Sequence, residues 1–165
     1  MKKLIAAVLV LYMLAPCALS EVEEYDGAIL AFVAEYNANA ISIFAVPELS
    51  STCDATQPDP DYGGIMAAWM EDDFGIAVGI DDYWFRYASV FAMDGVDGGE
   101  FLARCANAMY IIEGLNTKNY AQLLYAYFQV RATGKECITD LYSGGGISMM
   151  HGDGYWLFSV ITDNY

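Results

Sequence analysis

Positive charge is scarce in this chain. Seven Lys and Arg stand against 22 Asp and Glu over 165 residues, giving a formal net charge of −15 and a sequence pI near 4.1. Such a surface repels nucleic acid and anionic lipid, which argues against a nucleic-acid partner. Histidine is scarcer still: His151 stands alone, so a Ser-His or Cys-His hydrolase would have to use it as the general base. No Gly-x-Ser-x-Gly nucleophile elbow is present. No Cys-x-x-Cys or His-x-x-x-His spacing offers a zinc site. The Gly144-Gly145-Gly146 run lacks the Lys-Ser/Thr ending of a phosphate loop. Past residue 20, the sequence pattern predicts no apolar run long and uncharged enough to span a membrane.

What is present begins with a secretion signal. Lys2 and Lys3 precede an apolar run from Leu4 to Leu14, and Ala18-Leu19-Ser20 places small residues where a signal peptidase reads. The run is well short of the ~20 residues a transmembrane helix needs. Leu14-Ala15-Pro16-Cys17 resembles the lipobox of bacterial lipoproteins, which implies a lipid anchor on Cys17 as the first mature residue. Pro16 departs from that pattern, which takes Gly, Ala or Ser there, so cleavage after Ser20 and free secretion is the favoured reading. Residues 21–165 would then form one domain with five basic and 22 acidic residues, a formal charge of −17. Its acid is interleaved with aliphatic and aromatic residues, unlike a disordered chain.

Cleavage leaves Cys53, Cys105 and Cys137, an odd number that cannot close into internal bridges. Cys105 falls in an apolar helical stripe with Phe101, Ala108, Met109 and Ile112 and reads as core. If any bridge forms, Cys53 and Cys137, both in segments of loop character, are the pair.

Hydrophobic periodicity predicts the elements. Tyr25, Ala28, Ile29, Phe32, Val33 and Tyr36 recur as one face of a helix, Asn37 and Asn39 offer the chain an exit, and Ile41–Val46 reads as a strand. Residues 48–64 read as a long irregular segment. Residues 65–70, 75–80 and 83–93 form a meander with acidic turns. Asp97 and Glu100 start a helix that Gly114 ends, and a second helix follows from about Asn116 to Ala132. Runs over 138–142, 147–151 and 155–162 return to strand character, the last two as a hairpin across Gly152-Asp153-Gly154. The final strand is apolar on both sides, which predicts cover on both faces. The expected class is α+β: an antiparallel sheet of meander plus C-terminal hairpin, packed with an N-terminal helix and an αα-hairpin.

Three constellations bear on function. Alternate turns of a meander share one end of the sheet, so Glu71, Asp72 and Asp73 should meet Asp94 and Asp97, a carboxylate set able to hold calcium. Asp59-Pro60-Asp61-Tyr62-Gly63-Gly64 has the opening of an EF-hand loop, but its twelfth position is Met70 rather than a bidentate Glu, so Asp59, Asp61 and Tyr62 read instead as a ligand-facing surface loop. His151 lies two residues from Asp153, the acid-base pair a small secreted hydrolase would use. Without a catalytic signature, the leading expectation is a secreted acidic domain that binds an extracytoplasmic partner or ligand. The alternatives are that hydrolase and a calcium-stabilised extracellular module.

Overall fold

The structure, a computed structural model, describes residues 25–59, 64–81 and 84–162. The signal segment, Cys17, Asp61 and Tyr62 therefore lie outside the described residues.

Helix α1 spans Asp26–Asn39 and runs without a break into a π-helical turn, Ala40–Phe44. The strand expected at 41–46 is thus helical up to Phe44. The two asparagines explain why. Asn39 donates from Nδ2 to the Glu35 carbonyl at 2.9 Å, staying within the helix. Asn37 reaches outward instead, donating to the Leu49 carbonyl at 2.9 Å and accepting from the Leu49 amide at 2.7 Å, so it clamps the returning chain. The β-branched character of Ile41 and Ile43 is overridden by burial of Ala40, and Ala45, with φ 53°, makes the turn that ends the run.

A second correction follows. The continuous helix Asp26–Phe44 has 19 residues and a mean hydropathy of 1.3, enough by length and composition to cross a membrane. One face of it, Ile29, Phe32, Val33, Tyr36 and Ala40, is nevertheless buried in the domain core.

Seven strands follow: β1 Ala55–Pro58, β2 Ile65–Met70, β3 Phe74–Ile80, β4 Phe85–Met93, β5 Cys137–Asp140, β6 Gly146–Gly152 and β7 Tyr155–Ile161. Between β4 and β5 come α2, Gly98–Glu113, and α3, Thr117–Thr133. The sheet is antiparallel in the order β1-β2-β3-β4-β7-β6-β5. This is the expected α+β fold, a seven-stranded antiparallel sheet with an N-terminal helix and a helical hairpin. Strand β1 lies inside the segment read as irregular. As an edge strand it needs little apolar content, and it is held by β2 pairing and by the Asp54 carboxylate, which accepts from the Met70 amide at 2.7 Å.

All three helices cover the same face. Phe32 of α1 stacks on Trp69 of β2 and meets Phe85 edge-on, α2 lies over β4 and β7, and α3 over β5 and β6. Asp97 caps α2 by accepting from the Gly99 and Glu100 amides, and Asn116 caps α3 in the same way. Alternation sends Phe74, Ile76, Val78, Ala88, Val90, Phe158 and Val160 into this sealed core.

The opposite face carries no helix among the described residues. Cover on both sides of β7 is therefore corrected: Phe158 and Val160 are buried, while Leu157 and Ile161 remain partly exposed. The second apolar set of β7 lies on an open sheet face. Cys53 and Cys137 are free and stand at opposite edges, beside β1 and within β5. Six inter-strand spacings, about 29 Å, separate those edges, so the two thiols cannot bridge within one chain.

Candidate functional site

The β2–β3 and β4–α2 connections do share one end of the sheet. Glu71, Asp72, Asp73, Asp97 and Glu100 line one hollow there, together with Arg104. Arg104 organises it. Its guanidinium lies 4.0 Å from the centre of the Phe74 ring, donates to both Glu71 carboxylate oxygens at 2.9 and 3.3 Å, and reaches Glu100 at 3.2 Å. Burial works to lower its pKa, but the hydrogen bond to Glu71, the neighbouring charges and Glu100 more than offset that, so Arg104 holds its proton above the ordinary value. A cation here would compete with a resident guanidinium. Asp97 is occupied as a helix cap and Asp94 is drawn elsewhere. Among the described residues, no group of three or more His, Cys, Asp or Glu side chains is arranged to hold a metal ion. Asp59, the one described member of the loop trio, is buried, and its amide donates to the Gly64 carbonyl at 3.1 Å.

The hairpin tip corrects the third constellation, the pairing of His151 with Asp153. Asp153 and Gly154 take φ 50° and 93°, as a tight two-residue turn requires, and Asp153 does not serve His151. The partner is Asp94, whose Oδ1 lies 2.7 Å from His151 Nε2. Strand register makes this pair: His151 sits opposite Trp156, Trp156 opposite Ala92, and the Asp94 amide donates to the Gly154 carbonyl at 2.9 Å. With the carboxylate accepting, Nε2 carries the proton and the imidazole is fixed in one orientation.

Behind the pair runs a ladder of rings. His151 stacks on Trp156 with centroids 4.5 Å apart, Trp156 lies 5.1 Å from Tyr127 and 5.8 Å from Phe101, and Tyr127 meets Phe128 edge-on at 5.5 Å. Trp156, Tyr127, Phe128 and Phe101 wall a cleft of about 520 Å³, within the range of small-ligand sites. Asp97, Gly98 and Gly99 from the start of α2 close one side, and Arg131 from the last turn of α3 stands on another. A Cβ on Gly98 would lie 2.3 Å from the Tyr127 hydroxyl, so only glycine lets that ring stand against the α2 start. The Arg131 side chain makes no hydrogen bond or ion pair among the described residues. Phe128 is 57% exposed, an aromatic face presented to whatever enters.

The cleft draws on the helical pair α2 and α3 and on β7, which comes only after two further strands in chain order. No pattern within one segment marks it, and of its walls Phe101 stands out in sequence only as a member of the apolar stripe with Cys105. Neither family models, nor curated proteins, nor solved structures match this chain.

Proposed function

We propose that the chain is a binding domain that works outside the cytoplasm, and that its cleft between α2, α3 and β7 takes a neutral, ring-shaped, hydroxyl-bearing ligand, a carbohydrate. The extracytoplasmic placement rests on the Lys2-Lys3, Leu4–Leu14 and Ala18–Ser20 pattern. The observation that carries the ligand class is the wall itself, rings of Trp156, Tyr127 and Phe128 beside an unengaged Arg131 side chain and Oδ2 of Asp97, the carboxylate oxygen that the α2 cap, made through Oδ1, leaves over. Amphipathic rings stack on apolar sugar faces, while a guanidinium and a carboxylate offer donor and acceptor to hydroxyls. Neutrality matters, because a chain at −15 repels anions at long range and Arg131 opposes a cation at short range.

Titration with chito-, cello- and maltohexaose, followed by calorimetry and tryptophan fluorescence, tests this. Saturable binding of at least one is expected, weakened about tenfold or more by Phe128→Ala and by Arg131→Gln. No binding of any of the three, or binding indifferent to both substitutions, overturns it.

The His151–Asp94 pair favours a second reading, a small hydrolase in which Asp94 orients His151 as general base. Cys105 cannot be its nucleophile, since that thiol is fully buried and burial pushes its pKa well up. This reading needs an attacking water. If turnover of a bound sugar is found, His151→Ala should abolish it while leaving affinity intact; unchanged turnover removes the reading.

A further inference from the structure

The open face of the sheet has a lateral order that strand register alone produces. Ala55, Ala68, Ala77, Ser89, Ser159 and Ser148 stand opposite one another on successive strands, a row of small side chains crossing β1 to β6 in spatial order. Ser89 and Ser159 bond to each other at its centre, with oxygens 2.8 Å apart. On one side of this groove a ridge of Met70, Phe91, Leu157 and Met150 runs parallel to it, and on the other a ridge of Met66, Tyr87 and Ile161. The Tyr87 ring covers Gly79, where an added Cβ would lie 2.2 Å from it. Strands β2, β3, β6 and β7, and β4 from Tyr87 onward, place no Asp, Glu, Lys or Arg on this face. In a chain so rich in acid, that is a neutral band, bounded at its β5 end by Glu136, whose carboxylate accepts from the Ser148 hydroxyl at 2.7 Å.

We infer that this face is the interface of a homodimer, two copies packing sheet against sheet. The 44 residues of the seven strands, each covering about 4.8 Å by 3.4 Å of sheet, present roughly 700 Å², close to the ~800 Å² per partner of a standard stable interface. A ridge beside a parallel groove is self-complementary under a two-fold axis: the Met70–Met150 ridge of each copy seats in the small-residue row of the other. Sheets so packed lie about 10 Å apart with interdigitating side chains, the architecture of a sandwich core. A small molecule is the poorer occupant, because the depression on this face, lined by Ala77, Ser89, Phe91 and Leu157 among others, holds only about 140 Å³. An anionic bilayer is poorer still, since the acid around the face repels it.

Sedimentation equilibrium of the purified protein from about 1 to about 100 µM tests the inference. A monomer–dimer equilibrium is expected, tightened by added salt because two strongly acidic copies repel each other across the rim. Leu157→Lys, at the middle of the ridge, should raise the dimer dissociation constant about 100-fold or more, with the far-UV circular dichroism unchanged. Met150→Lys, on the same ridge and nearer the sheet edge, should act in the same direction if the first variant does not fold. Ala34→Lys, on the exposed side of α1, should leave association unaltered. A wild-type protein that stays monomeric at the highest concentration in raised salt overturns the inference, as does a dimer untouched by both ridge variants. A monomer that floats with phosphatidylcholine vesicles overturns it in favour of a membrane.

Discussion

The sheet has two faces built from the same strands by the same alternation, and they have been finished in opposite ways. One is sealed under three helices and holds Phe158, Val90, Val78 and Met149 at no more than 1% exposure. The other presents Leu157, Phe91, Met150 and Tyr87 partly exposed, with serines and alanines between them. Hydrophobicity alone does not separate the two sets, since β7 is apolar on both. What separates them is where the helices land. The placing of small residues differs too: the open face gathers them into one straight row, whereas the sealed face sets Ala67 and Ala88 in a row with Val78, Val160 and Ile147.

The largest test of that contrast is a matched pair of truncations. Phe158→Ala should cost about 3–5 kcal/mol in denaturant unfolding, as removal of a fully buried aromatic side chain does. Leu157→Ala, its neighbour on the open face, should cost less than about 1 kcal/mol under dilute conditions where the protein is monomeric. Equal losses would mean that the open face is covered within a single chain.

Alkali probes the sealed side next. Burial pushes the Tyr36 hydroxyl up to about 12, so the folded state keeps a proton that the unfolded state releases near 10. The stabilisation is complete below pH 10 and is lost as pH rises from 10 towards 12, amounting to about 2–3 kcal/mol. Tyr36→Phe should flatten that window in a pH series of melting temperatures. An unchanged slope would place Tyr36 in contact with water.

Removing the Asp97 cap loosens the helix that seals β4 and β7, and Asp97→Ala should cost about 1 kcal/mol by the same unfolding assay. The smallest effect is chemical. Cys105 in the sealed core should resist iodoacetamide until the protein unfolds, whereas half-buried Cys137 at the sheet edge should react in the native state. Cys53 should lag behind Cys137, because burial raises its thiol as well.

Much of the fold is legible in the sequence because the determining signals are local. The 3.6-residue recurrence of Ile29, Phe32, Val33 and Tyr36, the Asp97 and Asn116 caps, the glycine stops at Gly114 and Gly134, and the Asp153-Gly154 turn all act within a few residues. Two local readings fail for reasons that lie elsewhere in the chain. Ile41 and Ile43 favour a strand until Ala40 is buried beneath the helical run, and β1 is visible only once β2 is beside it. The site was the least legible part. His151 pairs with Asp94, 57 residues away, because β7 lies between β4 and β6, and neighbourhood in sequence pointed to Asp153 instead. The meander argument did bring Glu71, Asp72, Asp73 and Asp97 to one end, but it could not see that Arg104 would occupy their centre.

The position of β7 has a bearing on how the domain forms. Strand β7, the last described strand in chain order, is an inner strand in space, and it alone joins the β1–β4 meander to the β6–β5 pair. Until residues 155–161 are available, the chain holds two partial sheets with no ladder between them. Both would carry unpaired inner edges, the most association-prone surfaces a sheet can offer. Completion therefore arrives in one late step that closes contacts of long sequence separation, and such steps are slow. Deletion of residues 155–161 would remove the junction of the whole sheet, not merely one strand of it.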